Sequence, residues 1–100
     1  INSEYFQDEP WKMSKYDTML NLILINETHP YWKDIQKVDE SYRLSLRNDY
    51  ILSLTLKEII LYNIQGESKT VSKKFETNME RYIRFMIKTR ELLYQSSIVS

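Results

Sequence analysis

The sequence contains no cysteine and no alanine, and only one glycine, one histidine and two prolines in 100 residues. Without cysteine there is neither a disulfide framework nor a thiolate metal site, and a reducing compartment is permitted. One glycine cannot line an extended phosphate loop, so P-loop and dinucleotide fingerprints are absent. The lone histidine, His29, has no companion at metal-ligand spacing, and nucleophile–histidine catalysis would have to run through this one side chain. No aliphatic run exceeds Leu22–Ile25, far short of the roughly 20 residues a membrane span needs. Residues 1–20 lack the basic start and apolar run of a signal peptide. The missing alanine reads as coding bias rather than function.

What is present describes a folded chain. Hydrophobic residues make up 42% and charged residues 28%, too apolar for general disorder and enough for one hydrophobic core at this length. The first residue is Ile1 rather than methionine, which reads as a piece of a larger protein. Residues 1–11 read as an irregular arm, held by Tyr5, Phe6 and Trp11, with Asp8-Glu9-Pro10 favouring extended or turn backbone.

From there the periodicity is mostly helical. Ser14-Lys15-Tyr16-Asp17 resembles a capping box with aspartate in the glutamate position. It would start a first, largely buried helix carrying Tyr16, Leu20, Ile23 and Leu24, with a strand over Met19–Ile25 as the competing assignment. Thr28 and Pro30 offer a cap and a first-turn proline for a second helix, in which Tyr31, Ile35, Val38 and Tyr42 recur at helical spacing. Residues 42–56 could form a hairpin about Asn48-Asp49. The stripe Leu52, Leu56, Ile59 and Ile60 favours helix instead, with Asn48 or Asp49 as cap and Gly66 at the C-terminal end. The clearest segment is the last. Phe75, Met79, Tyr82, Met86, Thr89 and Leu93 recur at spacings of four and three, with Ile83, Ile87 and Tyr94 alongside. With Thr70 as cap, a helix over 71–95 would be about 37 Å long, more than the other helices cover.

Catalytic chemistry finds little support. His29 reads as a turn residue, and the acid pairs Asp8-Glu9 and Asp39-Glu40 point apart on a helix rather than forming an acid–base pair. Asn26-Glu27-Thr28 matches a glycosylation acceptor, a three-residue pattern common by chance. Charge is uneven. Residues 1–40 carry eight acids against four lysines, residues 67–100 carry seven bases against four glutamates, and the whole chain is neutral.

These observations predict an all-α fold, a small bundle of about four helices over residues 12–96 with a long amphipathic C-terminal helix. The expected role is a non-enzymatic protein–protein interaction domain of a larger intracellular protein, in cytoplasm or nucleus, bound to a protein partner or to a second copy. No cofactor, metal, membrane or small-molecule substrate is implied. Eight tyrosines and two tryptophans suit an interface, since they bury area while keeping a polar end. The expected contact residues are Met86, Ile87, Leu93 and Tyr94 on the last helix, then the corner Tyr31–Trp32. The alternative is nucleic-acid binding through Lys73, Lys74, Arg81, Arg84 and Lys88. It is weakened by neutral net charge and by the expectation that these five do not share one compact face.

Overall fold

The computed structural model describes residues 5–99, with side chains through residue 95. Its elements are a β-hairpin of β1 (Ser14–Asp17) and β2 (Leu22–Ile25), then α1 (Pro30–Ile35), α2 (Glu40–Asn63) and α3 (Lys69–Val99). The expected four-helix, all-α bundle is therefore incorrect. Among the described residues there are three helices and one two-stranded antiparallel sheet, in which Ser14 faces Ile25 and Asp17 faces Leu22.

The error has a local cause. Asp17 does not complete a capping box. Its Oδ1 accepts from the backbone N–H groups of Met19 and Leu20 at 2.9 and 3.1 Å, while Asn21 takes a left-handed φ of 53°. Tyr16 donates its hydroxyl to Asn21 Oδ1 at 2.6 Å. Aspartate and asparagine close turns in this way, and the turn competes directly with helix. Met19, Leu20 and Leu22, expected inside, are exposed on the hairpin tip.

Asn26 ties the hairpin to the incoming arm. Its amide donates to the carbonyls of Pro10 and Lys12, and its Oδ1 accepts from the N–H and hydroxyl of Thr28. With both ends engaged and no exposed surface, Asn26 is no glycan acceptor in this fold. Phe6 is buried and anchors the arm, whereas Trp11 is exposed.

His29, expected as a plain turn residue, caps α1 in place of Thr28. Its Nδ1 accepts from Tyr31 N–H at 3.1 Å, and Pro30 takes the first turn. Burial holds the imidazole pKa below its ordinary 6.5. A depressed folded-state pKa means the unfolded chain takes the proton first. The cap's contribution is then complete above about pH 6.5 and is lost as pH falls below it. His29→Ala is expected to cost about 1 kcal/mol at neutral pH with the fold retained. His29→Asn should keep the cap without the acid sensitivity. Urea midpoints at roughly pH 7.5 and 5 check this, and a parallel loss in wild type and the Asn variant would refute it.

The chain then turns through residues 36–38, and Asp39 caps α2 by accepting from Ser41 N–H at 2.9 Å. Residues 42–56 are helix throughout, so Asn48 and Asp49 lie mid-helix rather than at a cap. Tyr42, Leu46, Tyr50 and Leu54, four apart, turn the buried side of α2 toward Met13, Ile35 and Ile83. Ile64 ends the helix, Gly66 sits in the following turn with no positive φ, and Ser68 Oγ accepts from Val71 N–H at the start of α3. Thr70 is thus already helical. Helices α2 and α3 form an antiparallel pair, while the β-hairpin and α1 both pack against α2.

Candidate interaction surface

Three contacts fix how α2 and α3 face each other. Ser53 Oγ lies 3.6 Å from Met86 Sδ, Arg90 Nε lies 3.3 Å from Asp49, and Lys57 Nζ lies 3.1 Å from Glu80. Lys57 is fully buried, and its ammonium also meets Glu58 at 3.0 Å and Glu76 at 3.9 Å. Ser14 donates to the same Glu58 carboxylate at 2.6 Å, so one cluster joins β1, α2 and α3. Burial pushes the Glu76 carboxyl above the ordinary carboxylate range, against the opposing pull of Lys12 and Lys57. Ser14 and Lys57 line neither of the two principal cavities.

This cluster redistributes the charge of α3. All seven bases of the helix are exposed, while Glu76, Glu80 and Glu91 are not. Lys73, Lys74, Arg81, Arg84 and Lys88, expected to scatter, project within an arc of about 100° at 3.6 residues per turn. That expectation is corrected: the five form one basic face, about 22 Å long. The inward pull of Glu76 and Glu80 by Lys57 could not be inferred from spacing alone.

The predicted contact residues divide. Met86, Ile87 and Tyr94 are half-buried and pack against the core, Tyr94 lying 5.4 Å from the Tyr42 ring at the start of α2. Leu93 is exposed. Tyr31 and Trp32 are half-buried; Tyr31 lies under the Arg84 guanidinium at 5.6 Å, and Trp32 leans on Tyr50 at 6.1 Å. Tyr31, but not Trp32, borders a groove of about 600 Å³ floored by Leu46 and Tyr50 of α2. The Tyr50 hydroxyl is buried with no hydrogen-bond partner among the described residues. The groove walls mix Asp34 and Asp39 with Arg84 and Lys88 and so present no single charge.

A different set of large apolar side chains is exposed. On α2 it includes Leu56 and Leu52, the latter 69% exposed; on α3 it includes Tyr82 and Phe85, each 61% exposed, and Leu92 at 64%. Leu52, Leu56 and Ile59 were visible as a stripe, but the core uses the opposite side of the helix. On α3 a strict alternation of four and three links Val71, Phe75, Asn78, Tyr82, Phe85, Thr89 and Leu92, all exposed except the half-buried Phe75. Such a repeat is the seam of a coiled coil. It lies beside, not on, the core-facing line through Met79, Ile83 and Ile87. Sequence inspection missed it because the stripe read there, Phe75, Met79, Tyr82, Met86, Thr89 and Leu93, shares Phe75, Tyr82 and Thr89 with the seam and takes its other members from the side nearer the core.

Among the described residues, no group of three or more histidines and acids could hold a metal ion, and no helix is long and apolar enough to cross a membrane. Comparison with family models, with curated proteins and with solved structures finds no match to this chain.

Proposed function

We propose that this chain is a non-enzymatic protein–protein interaction domain that receives a helix of a partner protein on the outward face of the α2–α3 pair. The observation that carries the reading is the heptad seam on α3, with Val71, Tyr82, Phe85 and Leu92 exposed, together with the exposed Leu52 and Leu56 of α2. Its large side chains offer on the order of 100 Å² each. Together they reach the largest apolar patches that monomers carry, about 300–600 Å², and approach the ~800 Å² per side of a standard interface. A helix laid along a groove anchors through such 3–4 spaced positions. The reading carries an intracellular setting, cytoplasm or nucleus, which a chain free of cysteine permits.

The test is a synthetic helical peptide of three heptads with leucine in its seam and uncharged glutamine at its flanks. Amide chemical-shift changes are expected along Val71–Leu92 and around Leu52 and Leu56. Phe85→Asp with Leu92→Asp should abolish them while far-ultraviolet helicity is unchanged. Changes confined to the groove bordered by Tyr31, or none at all, would rule the surface out.

A further inference from the structure

The seam on α3 is asymmetric, and the asymmetry says what lies on it. With Tyr82 and Phe85 as successive seam residues, the position three after Val71, Asn78 and Phe85 forms one flank. Those residues are Lys74, Arg81 and Lys88, all exposed. The other flank, one residue after Val71, Asn78, Phe85 and Leu92, is Ser72, Met79, Met86 and Leu93, and it turns toward α2. A coiled-coil partner is chosen largely by its charge at such flanking positions. Here one edge is uniformly cationic over about 21 Å and the other is without charge.

We infer that the partner helix is acidic along its outer flank, so that its carboxylates meet Lys74, Arg81 and Lys88 while its inner flank is apolar against Met79, Met86 and Leu56. The inference rests on the interaction reading above and deepens it. A second copy of this chain does not meet the requirement. None of the three glutamates of α3 is exposed, Glu58 is buried, Asp49 is paired with Arg90, and the only exposed acid on α2 is Glu40 in its first turn. Two α3 seams laid antiparallel would also bring their cationic flanks together. Nucleic acid fits less well than an acidic helix. Phosphate contacts would leave Phe85 and Leu92 between the bases with nothing apolar to cover them. The exposed Asp34 and Asp39, which share a groove with Arg84 and Lys88, add repulsion.

Three versions of the heptad peptide, with glutamate, glutamine or lysine at the outer flank, are titrated calorimetrically into the full chain at low and high salt. The glutamate peptide is expected to bind about tenfold tighter than the glutamine peptide, from three flank pairs of modest strength, and the lysine peptide more weakly than either. The preference should shrink at roughly 0.5 M salt, where screening is short-ranged. Lys74→Glu with Arg81→Glu and Lys88→Glu, all at exposed positions, should invert the order in favour of the lysine peptide. If the glutamine and glutamate peptides bind equally, the acidic partner is refuted while the interaction reading stands. If the glutamine peptide fails to bind, the reading itself falls. Two further results would overturn the inference: a duplex oligonucleotide binding more tightly than the glutamate peptide in a Lys74-dependent manner, or a dimer by light scattering that dissociates on Phe85→Asp.

Discussion

Replacing Lys57 by methionine is expected to destabilise the fold by about 3 kcal/mol, among the largest effects of any single change. The methionine can fill the space, so the loss comes from charge rather than volume. Lys57 Nζ is the cation for Glu58 at 3.0 Å and Glu80 at 3.1 Å, inside a side chain with no exposed surface. Removing it leaves carboxylates partly out of water with only Ser14 and distant Lys12 to answer them, and an uncompensated buried charge costs more than the intact pair contributes. Two internal controls isolate this cause. Glu58→Gln with Glu80→Gln in the methionine background should recover most of the loss, because neutral amides no longer need the ammonium. Glu76→Gln alone in the wild type should be neutral or slightly stabilising near pH 7. Burial raises the Glu76 pKa in the folded state, so the folded chain holds that proton longer. Its ionisation therefore lowers stability as pH rises through the carboxylate range. Equilibrium urea unfolding gives all four values. A methionine variant as stable as wild type would show that the cluster is a surface ornament rather than a joint between β1, α2 and α3.

The same cluster explains why part of the architecture was legible in the sequence and part was not. Helical periodicity over 71–95 identified α3, and the stripe Leu52, Leu56, Ile59 and Ile60 identified the later part of α2, because repeats of three and four survive any arrangement of neighbours. Tyr42, read as part of the preceding helix, and Asn48 and Asp49, read as caps, all lie within the single helix Glu40–Asn63. Periodicity could not say which side of each helix is inside. On α2 the line Tyr42, Leu46, Tyr50, Leu54 and the line Leu52, Leu56, Ile59 are both apolar, and only the position of the β-hairpin and α1 chooses between them. Nothing in the local sequence marks Lys57 and Glu58 as buried. They are buried because Glu76 and Glu80 arrive from more than 18 residues away in sequence, a contact no local window contains. The hairpin failed for the opposite reason. Ser14 and Asp17 satisfy the pattern of a helix start and of a turn equally well, and Asn21, which takes the left-handed backbone, decided the outcome. For the candidate surface, the residue types were all visible. The single stripe read on α3 mixed seam residues (Phe75, Tyr82, Thr89) with residues nearer the core (Met79, Met86), so the two sides of the helix were merged into one.

Truncating Ile83 and truncating Leu92 should separate those two stripes by their effects on stability and on binding. Ile83 has no exposed surface and meets the cluster of Leu46, Tyr50 and Leu54. Ile83→Ala is therefore expected to cost roughly 2–4 kcal/mol, from lost burial and the cavity left behind. Leu92 lies nine residues further on, about two and a half turns, which places it on the far side of the helix, and it is 64% exposed. Leu92→Ala should change stability by less than about 0.5 kcal/mol, since the side chain leaves solvent in neither state. Binding should reverse the order. The glutamine-flanked heptad peptide is expected to lose affinity on Leu92→Ala by about tenfold, the scale of one buried apolar anchor. Ile83→Ala should leave that affinity within about twofold under conditions where the variant is still folded. The paired measurement distinguishes an outward seam from an extension of the core. If Leu92→Ala is as destabilising as Ile83→Ala, the residue is core and α3 has no free face there. If both variants bind the peptide as well as wild type, the partner helix does not lie on this seam.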